Sequence, residues 1–350
     1  MTGGVFLCLP HGASDEICCG WITMARAPGT LTYAAVFVTI PVTMLLVLEG
    51  ATRLFGPDDL FRQTYDPTLL DMRDGAFPYV NRAGYRGLLR SNEVAINSQH
   101  LLGPELPADG RPRLLLLGDS VLFAPCIDYD DTPGPVLEGL LDEQFAVLNA
   151  SSIGYSSEHE LAYLREFGPG LEPSMVVLGY CLNDPMSPGA MNLLGVASAK
   201  SKKWGGPLLR VNLFLRKHSL FFVWLKGVLE VEKRQNGYAA SIEPLFDEAS
   251  WGRNRQVLRD IHAWCAARDI PFVLAVFPHR EQLELGESAM APQRRLAELA
   301  GEFTVIDLTT WLAPEDFLFG DPLHLDRNGI HKSMAVIAGA LRDAVASTRP

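Results

Sequence analysis

The chain has 350 residues, 48% of them apolar, enough for one large domain with accessories. Its 41 acidic and 30 basic residues leave a net charge of −11 with no long basic run, which argues against a nucleic-acid partner, because phosphate binding needs clustered Lys and Arg. The six cysteines are scattered without the paired spacing of a metal site. No metal or other cofactor is expected, and the thiols are read as unpaired, with a Cys126–Cys181 bridge as the alternative.

Residues 1–30 carry no clear period and read as a leader, with Met24 as an alternative start. Leu31–Leu48 then runs for a membrane-spanning length without a charge, although Pro41 and three threonines interrupt it. Residues 31–49 are therefore read as one transmembrane helix that ties the chain to a membrane. A cleaved signal sequence is disfavoured, because Glu49-Gly50-Ala51-Thr52-Arg53 follows in place of a small-residue cleavage site. A buried soluble helix is the remaining alternative. Arg26 precedes the span and Arg53 follows it, with Glu49, Asp58 and Asp59 also on the far side; the reading taken is an inside amino terminus, with the catalytic domain on the extracytoplasmic side.

Residues 50–112 are rich in Pro, Gly, Asp and Arg and read as an irregular linker arm with one short edge strand. Arg86 in this arm either reaches a site carboxylate or substrate anion, or pairs with an acid on the surface.

From residue 113 the pattern alternates. Strands are predicted at Arg113–Leu117, Phe145–Leu148, Met175–Gly179, Pro271–Phe277 and Phe303–Leu308. Helices are predicted at about Asp131–Asp142, Ser157–Phe167, Arg253–Arg268, from near Pro292, and Arg327 to about Ala346. Strands alternating with helices mean right-handed βαβ units and a parallel sheet. Residues 186–248 break the rhythm. They hold a basic patch, Lys200–Lys203, then an amphipathic stretch, Leu208–Lys233, and read as a helical insertion. Ordinary packing, a lid over the site and a face resting on the membrane are all open for it.

The first strand, Leu114–Leu117, is continuously apolar and ends in Gly118-Asp119-Ser120. A polar turn at the carboxyl end of a buried strand is where open α/β sheets place their chemistry, so Ser120 is the candidate nucleophile. A serine hydroxyl needs a base, a group that orients the base, and donors for the oxyanion. Asp321-Pro322-Leu323-His324, in a loop before the last helix, supplies the first two at a spacing that lets the carboxylate reach the imidazole. His331, a turn into that helix, is read as structural, and His279 as a residue that lines the pocket or packs. Gly154 and Asn183 end the loops after the second and third strands. They can donate beside the backbone N–H of Ser120.

Gly118-Asp119-Ser120, Gly154, Gly179-x-x-x-Asn183-Asp184 and Asp321-x-x-His324, in that order, resemble the GDSL or SGNH hydrolase superfamily over residues 113–345. The arm with Asn81-Arg82-Ala83-Gly84-Tyr85-Arg86-Gly87 behind a membrane span resembles membrane-anchored bacterial members. The resemblance implies a flavodoxin-like three-layer α/β/α sandwich with a five-stranded parallel sheet. It also implies catalysis by Ser120, His324 and Asp321, with an oxyanion hole of Ser120, Gly154 and Asn183. One departure is that Val121-Leu122-Phe123-Ala124-Pro125 follows the serine where many members have a glycine, giving a stiffer, more apolar loop. Gly-x-Ser-x-Gly is absent at Ser120, which sets the chain apart from the α/β-hydrolase elbow. The expected activity is ester hydrolysis, removing short, acetyl-like acyl groups from a carbohydrate or other small ester. An O-acyltransferase using the same residues, and a catalytically dead membrane-tethered binding protein, are the alternatives.

Overall fold

The computed structural model describes residues 5–10, 17–22, 30–57, 67–74, 77–89, 92–185, 211–212, 214–215, 218–229 and 242–347. The basic patch Lys200–Lys203 and the alternative start Met24 lie outside the described residues. The chain divides into two compact units, Met1–Phe55 and Gly56–Pro350.

In the first unit, β1 (Val5–Pro10) pairs antiparallel with β2 (Ile17–Ile22), inside a segment whose sequence shows no period. α1 (Thr30–Phe55) follows. Its 26 residues span about 39 Å at the helical rise. Phe37–Phe55 has a mean hydropathy of 1.5 and is not buried, so this helix is long and apolar enough to cross a membrane. It runs past residue 49 because the helix-compatible Ala51 and Thr52 continue it and Arg53 pairs with Glu49 one turn back, at 2.7 Å.

The second unit opens with two antiparallel hairpins, β3 (Leu70–Met72) with β4 (Tyr79–Asn81) and β5 (Arg86–Leu89) with β6 (Asn92–Ala95). Within the arm, residues 70–95 thus hold four short strands where the sequence reading has one edge strand. Leu69, Phe77, Tyr79, Tyr85, Leu89, Val94 and Ile96 are buried and belong to the main hydrophobic cluster. Three- and four-residue strands are too short to show a period of two, but long enough to seat alternate side chains on a core.

The sheet consists of β7 (Arg113–Gly118), β8 (Ala146–Asn149), β9 (Met175–Cys181), β10 (Phe272–Phe277) and β11 (Thr304–Asp307), all parallel, in the spatial order β11-β10-β9-β7-β8. β9 and β10 are buried along their whole length, as expected of strands covered on both faces. Alternate residues serve opposite faces. Leu115, Leu117, Val176 and Leu178 join α4 (Ser157–Leu171) and α6 (Glu248–Ala266). Leu114, Leu116, Met175 and Val177 join α3 (Pro133–Leu140) and α9 (Arg327–Ser347). The result is a three-layer α/β/α sandwich.

Between these lie the four-residue α2 (Ser120–Phe123), α5 (Leu220–Leu229) in the insertion, and α7 (Arg280–Leu285) and α8 (Ala291–Ala297) after β10. α7 is an element that the sequence reading lacks. α5 is apolar apart from Lys226, and a side chain on its Gly227 would meet Phe319 at 3.1 Å, so the helix lies against the segment just before Asp321. Cys126, Cys181 and Cys265 are free thiols.

Candidate active site

The strand order fixes where a site can form. From β7 the chain steps to β8 on one side, then crosses back to place β9 on the other. Connections leave this point in opposite directions, so a crevice opens outside the carboxyl ends of β7 and β9. Ser120 follows β7 and Asn183 follows β9.

The Gly118-Asp119-Ser120 turn is held by its neighbours. Asp119 caps α2, its Oδ1 accepting the Val121 N–H at 2.8 Å. Gly118 and Gly179 are partners in adjacent strands, and a Cβ on Gly179 would stand 2.5 Å from Leu122. The missing side chains let α2 settle onto the sheet and carry Ser120 over its edge. Ser120 is 9% exposed.

The candidate base, His324, comes from a loop 204 residues further along the chain. The loop between Phe317 and Leu325 folds back on itself through Leu318 N–H to His324 O at 2.9 Å and Asp321 N–H to Leu318 O at 3.0 Å. Arg280 N–H donates to Pro322 O at 2.9 Å, which ties this loop to the segment after β10. Within it Asp321 Oδ1 accepts the backbone N–H groups of Leu323 and His324 at 2.8 and 2.9 Å. Asp321 Oδ2 lies 2.9 Å from His324 Nδ1, and His324 Nε2 lies 2.9 Å from Ser120 Oγ. Burial would raise the Asp321 carboxyl, but the charge of His324, its ring N–H and the two backbone donors outweigh it and hold the group at about 2. An ionised Asp321 accepting from Nδ1–H favours the tautomer that leaves Nε2 as the acceptor facing Ser120 Oγ.

Asn183 directs its Nδ2 to Asp119 Oδ2 at 3.3 Å, while its Oδ1 is buried without a partner among the described residues. Burial pushes the Asp119 carboxyl up, against the Val121 N–H, the His324 charge and the Asn183 amide. Gly154 has φ +80°, a conformation that glycine takes without strain. Its loop lies beside the nucleophile strand, with Ser152 N–H donating to Gly118 O at 3.1 Å.

Beyond the residues read from sequence, Asn81 of β4 is a support of this loop. Its Nδ2 donates to Ser151 O at 2.9 Å and its Oδ1 accepts from Ser152 Oγ at 2.7 Å, with the residue 1% exposed. The Asn81-to-Gly87 segment was the visible signal, but nothing in it pointed to a partner loop.

His279 is buried, its Nε2 3.8 Å from Cys181 Sγ; burial pulls its imidazole down to about 3, so it packs as a neutral ring behind Asp321 and His324. His331 is an exposed partner of Asp131 at 3.4 Å. Arg86 is exposed.

No family model and no curated protein matches the chain. Solved structures do. The psychrotrophic esterase EstA from Pseudoalteromonas sp. is 12% identical, with a TM-score of 0.41 over 67% of this chain and 98% of that one. The lipase/acylhydrolase from Enterococcus faecalis is 16% identical, with a TM-score of 0.38 over 66% and 96%. A GDSL-like lipase from Bacteroides thetaiotaomicron is 14% identical, with a TM-score of 0.37 over 68% and 91%.

Proposed function

We propose that this chain is a serine ester hydrolase of the GDSL or SGNH type. The observation that carries the reading is the unbroken hydrogen-bonded series Ser120–His324–Asp321, with both side-chain links at 2.9 Å, beside the switch point of a parallel sheet. Ser120 Oγ attacks an acyl carbonyl as His324 Nε2 takes its proton. The carbonyl oxygen becomes an oxyanion, bound by the N–H groups of Ser120 and Gly154 and by Asn183 Nδ2. His324 returns the proton to the departing alcohol, leaving an acyl-enzyme on Ser120. Water, deprotonated by His324, then releases the acid.

The acyl group in this reading is short and acetyl-like, carried on a carbohydrate or other small ester. The support is steric, because Ser120 is 9% exposed and the following Val121, Leu122, Phe123 and Ala124 are all buried, which leaves the nucleophile loop little room to open. In the same reading α1 anchors the protein in a membrane, with the catalytic domain on the extracytoplasmic side. Its support is the charge-free run Leu31–Leu48 with Arg26 before it.

A fluorophosphonate probe and p-nitrophenyl acetate test the reading. The wild type is expected to be labelled and to turn over, and folded Ser120→Ala to do neither. A Ser120→Ala protein that hydrolyses the ester as fast as the wild type overturns it.

A further inference from the structure

We infer that Asp119 is a positioning residue for the oxyanion donor Asn183, coupling the nucleophile turn to the loop after β9; this rests on the ester-hydrolase reading. A carboxylate has two oxygens, and Asp119 divides them between two loops. Oδ1 takes the Val121 N–H at 2.8 Å and so shapes the turn that presents Ser120. Oδ2 takes one Nδ2 hydrogen of Asn183 at 3.3 Å.

An amide nitrogen carries two hydrogens in a plane. With one held by Asp119, the amide cannot rotate freely, and its second hydrogen is left for the developing oxyanion. The other end of the amide does not supply this control, because Asn183 Oδ1 is buried without a partner among the described residues. Without Asp119 no other side-chain hydrogen bond among the described residues keeps the amide from turning its oxygen toward the substrate. An oxygen there repels the oxyanion that an N–H would stabilise. Asp119 itself is fully buried and does not reach solvent or substrate, so its part is to orient.

The role separates from simple structural support by a double-mutant cycle. Asp119→Asn keeps the size but replaces one acceptor oxygen with a donor, so it cannot accept both hydrogen bonds. Asp119→Ser keeps a cap for Val121 but is too short to reach Asn183. Each is made alone and together with Asn183→Ala, and kcat and KM are measured on p-nitrophenyl acetate, with thermal melts to establish folding. In the Asn183 background both Asp119 variants are expected to lower kcat by about tenfold to a hundredfold with little change in KM. In the Asn183→Ala background the same substitutions are expected to cost less than about twofold. An equal loss of kcat in both backgrounds overturns the inference and leaves the hydrolase reading intact. A wild type that neither hydrolyses nor takes the fluorophosphonate label overturns the hydrolase reading, and the inference with it.

Discussion

Asn81 spends both ends of its side-chain amide on the loop that leads to Gly154, and its backbone carbonyl lies 2.7 Å from His100 Nδ1. Removing the amide leaves Ser151 O and Ser152 Oγ without these partners inside the protein, which costs about 1–3 kcal/mol for each buried group left unpaired. Asn81→Ala is therefore expected to lower the melting temperature and to reduce kcat more than it raises KM, because the loop that should present the Gly154 N–H loses its fixed position. Steady-state kinetics on p-nitrophenyl acetate with a parallel melt checks this. A variant with lowered stability and unchanged kcat would show that Asn81 supports the fold alone. Tyr79, two residues earlier on the same strand, packs with Tyr155 at 5.4 Å between ring centroids, so β4 grips the loop on both sides of Gly154.

At the scale of elements, α4 carries an unusual burden. Its first turn buries Ser157, His159 and Glu160 together. Both oxygens of Glu160 lack a hydrogen-bond partner among the described residues, and Asp184 Oδ1 is in the same state. Burial first, and then the charge of Asp119, push the Glu160 carboxyl well above its usual range. The folded protein therefore holds a proton that the unfolded chain releases near 4.5, so stability falls as pH rises through the folded value. His159 is pulled by burial to about 4 and is neutral in both states at alkaline pH, where it does not mask this slope. As pH is raised from the ordinary carboxylate range the Glu160 contribution to stability is expected to be lost. The melting temperature of Glu160→Gln is expected to drop less than that of the wild type, since it has about one proton fewer to lose. Parallel slopes for the two proteins would show that Glu160 is ionised in the fold. Which elements were legible in the sequence follows from the same physics. Leu114–Leu117 is a continuous apolar run, and strands buried on both faces have no other way to read. Asp321 and His324 were legible because their hydrogen bond is local. Asn81 and Ser151 are 70 residues apart, and β4 is too short to show alternation, so that contact was not. The acid pair of α4 and the β9 loop was hidden as well, because a glutamate at a helix start reads as a solvated first-turn acid.

The molecule as a whole consists of two units with opposite surfaces. One exposes the apolar side chains of α1; the other buries its apolar residues on the two faces of one sheet. Removal of residues 1–55 leaves every element of the sheet and every candidate site residue in place. The shortened protein is expected to stay at the bottom of a liposome flotation gradient, where the full chain rises, and to keep kcat/KM on p-nitrophenyl acetate within about twofold. A shortened protein that still floats would assign membrane affinity to the second unit, with the apolar α5 as the first segment to remove. The order of the parts along the chain has a consequence for biosynthesis. Ser120 and His324 are 204 residues apart, and four of the five sheet strands, the insertion and Asp321 lie between them. A ribosome therefore makes α1 before Ser120, and Ser120 well before the candidate base His324. In the hydrolase reading proposed above, a chain whose Asp321–His324 loop has not yet been made lacks the group that would take the serine proton, and its Ser120 is an ordinary alcohol.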